Sequence, residues 1–263
     1  MSKLIQRIER LGRTAPAPMG FGALARPQAS PAMVLIGATS DLGKLNDLGD
    51  SGLDAVLYRP PSGDAAAAGE AMETAGGLLW GVYSAAPTAE GLQALEEKGC
   101  DFVALDALTA PVEALHHEEM GHLLIVSFEL GKEEARALEP LPLDAALLSE
   151  PLPSPLTLEH LLRLATLRGE IGLPFLLPIA APPTAWEVEC LREVGVEGLV
   201  PDLDRTTLED LKSLAQAVRS MPRRRPRGER ATPTLPQVRF ALGSSGPEHD
   251  DDDGDEGEDD EDY

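Results

Sequence analysis

The chain has 263 residues, of which 43% are hydrophobic and only 4% aromatic. This is enough for one sizeable core, built mainly from Leu, Val, Ile and Ala. The formal net charge is -23, but 12 of the acids lie between Glu248 and Asp262. The rest of the chain is therefore moderately acidic. Such a charge argues against nucleic acid or an anionic membrane as a partner, because both repel negative surfaces.

The first 31 residues predict a helix followed by a linker. Leu4, Ile5, Ile8 and Leu11 recur at helical spacing, which indicates a short amphipathic helix. Residues 13–31 are rich in Pro, Ala and Gly and are interpreted as a connector. The first 12 residues contain charges throughout and no apolar signal core. Two cysteines are too few for a disulfide framework, so we expect a cytoplasmic protein.

From residue 32 onward a unit of about 20 to 25 residues recurs. In this unit a helical stretch ends at Gly, and an acid or small residue then precedes a short apolar run. Gly52–Leu57, Gly99–Leu105 and Gly195–Val200 are three examples. Eight apolar runs alternating with helices predict one (β/α)8 barrel over residues 32–221. The predicted strands are Met33–Ala38, Ala55–Tyr58, Leu78–Tyr83, Phe102–Leu105, Leu123–Phe128, Ala145–Leu148, Phe175–Ile179 and Gly198–Val200.

A helix is predicted after every strand. The N-terminal helix is expected to cover one end of the barrel, and docking on a partner is the alternative. Thr88 is expected to cap the third of these helices, and either Thr206 or Thr207 the last. The predicted helices are Leu42–Asp50, Asp64–Thr74, Thr88–Lys98, Pro111–Met120, Lys132–Leu138, Thr157–Gly169, Thr184–Val194 and a final one ending at Ser220.

Residues 222–263 differ in composition from the barrel. A basic run from Arg223 to Arg230 leads into a segment made almost entirely of Gly and acids. Such a segment cannot bury enough apolar surface to offset the entropy of ordering it. It is predicted to be a basic linker and a disordered acidic tail, with solubility or attraction to a basic protein partner as its role.

Barrels of this kind carry their functional groups at the C-terminal ends of the strands. Polar residues that follow the predicted strands are therefore the candidates for a site. We expect Thr39, Ser40, Arg59 and Ser84 to bind a substrate, with Arg59 also serving as an anion clamp in catalysis. Asp106, Glu129 and Glu150 follow strands four, five and six.

The sequence lacks the residues that several kinds of catalysis or cofactor binding require. None of the five lysines lies within a predicted strand, which argues against Schiff-base catalysis. No histidine follows a strand, which argues against a histidine-rich metal site. The last two strand-to-helix loops contain Pro182, Pro183, Asp202 and Asp204 in place of the glycines of a phosphate site. No pattern indicates pyridoxal phosphate, flavin or haem.

The three carboxylates Asp106, Glu129 and Glu150 are spaced one barrel repeat apart. If all three point inward, their oxygens converge and suit Mg²⁺ or Mn²⁺. Such a metal would polarise a carbonyl and stabilise an enolate, with Glu129 and Arg59 in catalytic roles. Ser149 and Glu150 have opposite strand parity, so only one of the two can face inward. A chance distribution of acids in an acidic protein is the alternative.

The repeated unit, as in Ala94–Val103, resembles that of aldolase-type (β/α)8 barrels over residues 32–221. That resemblance implies an architecture and not a particular reaction. The Asp–Glu–Glu series also resembles the metal ligands of the enolase superfamily. This chain lacks the lysines on flanking strands and the capping domain of that family.

Two functions remain open from the sequence. The first is a metal-assisted lyase or isomerase that acts on a small oxyacid at the mouth of the barrel. The second is a non-catalytic barrel that binds or scaffolds through its mouth and charged tails. The scarcity of bases at the strand ends favours the second, whereas Arg59 and the intact barrel pattern favour the first. A small-molecule ligand is expected in both cases.

Overall fold

The computed structural model describes residues 1–12, 32–61, 69, 72, 77–106 and 109–221. Eight parallel strands form one closed barrel in chain order, and β1 pairs with β8 to close it. The predicted (β/α)8 barrel is thereby confirmed, with each predicted strand overlapping an observed one. The strands are β1 Val34–Thr39, β2 Ala55–Tyr58, β3 Leu79–Ser84, β4 Phe102–Asp106, β5 Gly121–Val126, β6 Ala145–Leu148, β7 Phe175–Ile179 and β8 Gly198–Pro201.

The helices surround the barrel, and most begin at a threonine cap. Thr88, Thr157, Thr184 and Thr207 each accept a hydrogen bond from a backbone N–H in the first turn of the following helix. The cap of the last helix is therefore Thr207 rather than Thr206. The α-helices whose bounds lie within the described residues are α1 Lys3–Gly12, α2 Ala89–Glu97, α3 Lys132–Ala137, α4 Leu158–Glu170, α5 Ala185–Val194 and α6 Leu208–Ser220.

Two of the predicted α-helices are instead short 3-10 helices. They span Leu42–Asp47 and Val112–His116. The first begins where Asp41 accepts a hydrogen bond from Gly43 N, an ordinary helix N-cap. The second follows Pro111, whose ring has no oxygen that could accept a capping hydrogen bond. Most of the predicted helix Asp64–Thr74, the linker 13–31 and the tail 222–263 lie outside the described residues.

The core consists of two layers separated by the barrel wall. The outer layer packs strand residues such as Val56, Val103 and Leu177 against the surrounding helices. The inner layer fills the barrel with alternate residues of the same strands, such as Ile36, Leu57 and Phe102. Because both faces are buried, the strands are apolar along their length. This explains the unbroken apolar runs of the sequence. No helix among the described residues is long and apolar enough to cross a membrane.

Helix α1 closes the N-terminal end of the barrel, as expected from its apolar stripe. Leu4, Ile5 and Ile8 are buried and belong to the inner layer of the core. The carboxylate of Asp101, just before β4, accepts hydrogen bonds from Ser2 Oγ, Lys3 N and Leu4 N at 2.7 to 2.9 Å. An anion beside the free N–H groups of a first helical turn is favourable. Asp101 therefore anchors the start of α1.

The acids that precede β2, β6 and β8 share one structural role. Asp54 donates its N–H to Leu35 O, and its carboxylate accepts the N–H of the same Leu35. Asp144 does this with His122, and Glu197 with Phe175. We call this arrangement the acid clamp. It joins β1 to β2, β5 to β6 and β7 to β8 at their N-terminal ends, and it gives a structural reason for the acid that precedes each of β2, β6 and β8.

Candidate functional site

A cavity of about 330 Å³ opens at the C-terminal ends of the strands. Its walls are mostly apolar and include Leu57, Ile125 and Val200. The residue two positions after an inward-facing one also faces inward, so Arg59 follows Leu57 and Asp202 follows Val200 into the mouth. The polar residues that line the cavity are Arg59, Tyr83, Asp106, Ser149, Asp202 and Arg205.

Asp202 lies between the two arginines of the mouth. Its Oδ1 is 3.3 Å from Nη2 of Arg59, and its Oδ2 is 3.8 Å from Nε of Arg205. The Arg59 side chain is 43% exposed and that of Arg205 is 75% exposed. Exposed pairs of this kind contribute about 0–1 kcal/mol each. Both guanidinium groups therefore remain accessible to an anion from solvent.

A second carboxylate, Asp204, ties the end of β1 to the loop after β8. It accepts hydrogen bonds from Thr39 Oγ1 at 2.7 Å, Ser40 N at 3.0 Å and Ser40 Oγ at 2.8 Å. Burial raises the pKa of Asp204. The bonds from Thr39 and Ser40 and the nearby charge of Arg59 outweigh that effect and lower the pKa below its ordinary value. Asp204 is therefore charged at neutral pH.

The structure places the residues predicted to bind substrate in different surroundings. Arg59 lines the cavity. Thr39 is fully buried and, like Ser40, is bonded to Asp204 rather than turned to the cavity. Ser84 is buried, and its parity in β3 is opposite to that of Tyr83, which lines the cavity in its place.

The three carboxylates predicted to hold a metal do not converge. Asp106 lines the cavity, whereas Glu129 and Glu150 are exposed and do not. Glu129 follows the end of β5 by three residues, where the chain has already turned, and Ser149 takes the inward position at the end of β6. Within the part of the chain that the structure describes, no three His, Cys, Asp or Glu residues form a group that could hold a metal ion. The donor set for Mg²⁺ or Mn²⁺ is therefore not formed.

Tyr83 and Arg205 both line the mouth. The sequence indicates Arg205 only as a partial substitute in a phosphate site, and it gives Tyr83 no role. Tyr83 could have been found by strand parity, since it lies two residues after Gly81 and four after Leu79 on the inner face. Arg205 lies in a loop, where parity gives no direction. Its place follows from the turn in which Arg205 N and Thr206 N donate to Asp202 O.

A second depression of about 510 Å³ is an open groove at the other end of the barrel. It lies between residues 50–52 and the last turns of α6, and Lys212 and Arg219 line it. The carboxyl ends of the strands, where barrels of this class carry their sites, are remote from it. We therefore take the mouth as the candidate site.

Comparison with known proteins supports the fold and not a family. No family model matches the chain, and no curated protein matches it. A thiamine phosphate pyrophosphorylase from Pyrococcus furiosus superimposes with a TM-score of 0.52 at 15% identity, over 71% of this chain and 96% of that one. The orotidine 5'-phosphate decarboxylase of Pyrococcus horikoshii gives 0.55 at 10% identity, over 72% and 100%.

The tryptophan synthase A-subunit from Pyrococcus furiosus is similar to the same degree. Its TM-score is 0.52 at 13% identity, over 72% of this chain and 96% of that one. At such identities the likeness shows a shared architecture alone. The protein is a TIM barrel, a fold that it shares with these three enzymes.

Proposed function

We propose that this protein binds a small oxyacid in the mouth of the barrel and acts on it as a lyase or isomerase. The observation that carries the proposal is the pair Arg59 and Arg205 at the rim of a mostly apolar cavity. Two guanidinium groups beside apolar walls suit a short carbon chain with a carboxylate. At about 330 Å³ the cavity is near the lower end of the range for small-molecule sites.

The opposite side of the mouth offers a group that could accept a proton. In a closed ring of eight strands, β4 lies opposite β8, so Asp106 faces the side that carries Asp202 and Arg205. An oxyacid held by the arginines would direct its other end toward Asp106. Asp106 would take a proton from the carbon next to a carbonyl, and the arginines would stabilise the negative charge that develops on oxygen.

A carboxylate fits this mouth better than a phosphate ester does. Two of the similar structures carry a phosphate ester in their names. Here the loops after β7 and β8 contain Pro182 and Pro183, which lack an N–H to donate, and Asp202 and Asp204, which repel a dianion. We therefore assign the mouth to carboxylates.

A non-catalytic binding barrel is the second candidate. The observation in its favour is that no histidine, lysine or cysteine is found among the described residues that line the cavity. In that case the same arginines would bind the ligand and Asp106 would only orient it. The two functions therefore share a ligand class and differ in whether a proton moves.

Calorimetry and proton exchange test both candidates. Pyruvate, oxaloacetate and 2-oxoglutarate are titrated into the wild type, Arg59→Ala and Arg10→Ala. Arg10 is a matched control because it is exposed on α1, which closes the other end of the barrel. We expect Arg59→Ala to weaken binding at least about tenfold, since a hydrogen bond to a charged group contributes about 1.5–3 kcal/mol. Equal binding by wild type and Arg59→Ala would refute the site.

Exchange of the methyl protons of pyruvate with deuterated water separates an enzyme from a binder. We expect the wild type to accelerate this exchange and Asp106→Asn to abolish the acceleration while retaining binding. Binding without exchange in the wild type would favour the non-catalytic barrel.

A further inference from the structure

A chain of polar contacts leads from the end of β1 to the guanidinium of Arg59. Thr39 and Ser40 hold the carboxylate of Asp204 through three hydrogen bonds. The N–H of Asp204 donates to Oδ1 of Asp202 at 3.0 Å. The same Oδ1 lies 3.3 Å from Nη2 of Arg59. The oxygen that contacts Arg59 is therefore oriented by the backbone of Asp204.

The anchoring end of this chain is rigid. Thr39 is fully buried, and its Oγ1 also accepts the N–H of Asp41 and contacts Asp41 O. A hydroxyl with that many partners has one orientation. The charged form of Asp204 strengthens its three bonds, because hydrogen bonds to an ionised acceptor are shorter and stronger than neutral ones. The other end of the chain, the guanidinium of Arg59, is not rigid by itself, because Arg59 is partly exposed and an unrestrained arginine side chain has many rotamers.

We propose that Asp204 is a positioning residue that, through Asp202, holds Arg59 in one orientation at the mouth, and that Thr39 and Ser40 serve this purpose instead of binding the substrate. The purpose rests on the proposed function, because an oriented guanidinium matters only if the mouth takes an anion. The orientation itself does not depend on that function. Pre-ordering the arginine lowers the entropy lost when a ligand binds.

The competing explanation is that Asp204 only fastens β1 to the loop after β8. That role would show as lost stability, with Arg59 unaffected. Asp54 provides the matched control, since it fastens β1 to β2 at the other end of the barrel through its bond to Leu35 N and also bonds Arg7 of α1. Asp54→Asn and Asp204→Asn are the same chemical change. Only Asp204→Asn should change the orientation and mobility of the Arg59 side chain.

The test is the NMR signal of the Arg59 Nε–H group in the full chain, labelled with ¹⁵N-arginine and without any ligand. The signal is assigned by its loss in Arg59→Lys. In Asp204→Asn we expect it to move to the position of exposed arginines and to lose its heteronuclear Overhauser effect, which reports a fixed side chain. In Asp54→Asn we expect it to stay in place even if the melting temperature falls.

An unchanged Arg59 signal in Asp204→Asn would overturn the proposal, and so would an equal change in Asp54→Asn. If Asp204→Asn does not fold, Ser40→Ala removes one bond to Asp204 at an exposed position and should move the signal in the same direction by a smaller amount. No movement in that variant would also overturn the proposal. Failure of the wild type to bind any of the three oxyacids would refute the proposed function, but it would not affect the conclusion that Asp204 orients Arg59.

Discussion

The anchoring of α1 by Asp101 supplies the most direct test of the fold. In Asp101→Asn one carboxylate oxygen becomes an NH₂ group. Oδ1 accepts from Lys3 N, whereas Oδ2 accepts from Ser2 Oγ and Leu4 N. The amide therefore loses one or two of the three bonds and turns a donor toward another donor. A hydrogen bond to a charged group contributes about 1.5–3 kcal/mol, and loss of a helix cap costs about 0.5–2 kcal/mol.

Because Asp101 is only half-buried, we expect the variant to lose about 2 kcal/mol of unfolding free energy. At roughly 2–4 °C per kcal/mol for a domain of this size, the melting temperature should fall by about 4–8 °C. Urea unfolding followed by tryptophan fluorescence measures this, since Trp80 is buried. The control is Asp50→Asn, an exposed aspartate expected to change stability by no more than about 0.5 kcal/mol. A loss in Asp101→Asn no larger than in the control would refute the anchoring role.

Three further predictions concern buried groups. Ile8→Ala should cost about 2–5 kcal/mol in urea unfolding, because Ile8 is buried inside the end of the barrel; a loss below about 1 kcal/mol would show that α1 does not close the barrel. Burial lowers the pKa of His122 below its ordinary value, so the unfolded state takes up its proton first and stability falls as the pH drops below about 6.5. This loss, no more than about 1.4 kcal/mol per pH unit, should be absent in His122→Gln, and parallel pH curves for the two proteins would contradict it. Burial raises the pKa of Cys100 to about 12, so a disulfide reagent should modify Cys190 well before Cys100 in the native protein, and equal rates would contradict this.

The architecture was predictable because its signals are local and repeated. β2, β6 and β7 have the predicted bounds, since a strand buried on both faces needs a continuous apolar run with a defined beginning and end. Thr88 and Thr184 mark helix starts because a hydroxyl before a helix satisfies a free N–H. The two 3-10 helices were not predictable from periodicity, which does not distinguish a short tight turn from a longer helix.

The site was less predictable because it depends on the direction of each side chain at a strand end. Parity leaves Ser149 and Glu150 as equal candidates until the last inward residue, Leu147, is known. For Glu129 the strand ends too early for parity to apply. Thr39 directly follows a predicted strand, as a substrate-binding residue would. Its hydroxyl instead donates a hydrogen bond to Asp204, which lies in the loop after β8 and is not near it in the sequence. That contact joins residues 165 positions apart, a separation at which local patterns carry no information.

The barrel can be described as four pairs of neighbouring strands, and the acid clamp is present in three of them. These three pairs are joined through Asp54, Asp144 and Glu197. In the fourth, β3 with β4, Asp101 N still donates to Trp80 O, but its carboxylate is turned away to the N-terminal helix. Three of the four acids therefore bond a neighbouring strand of the barrel through their carboxylates, and the fourth, Asp101, bonds the N-terminal helix α1. In the β3–β4 pair the carboxylate of Asp101 bonds α1 instead of the neighbouring strand, and we expect removal of α1 to loosen this pair of strands more than the other three.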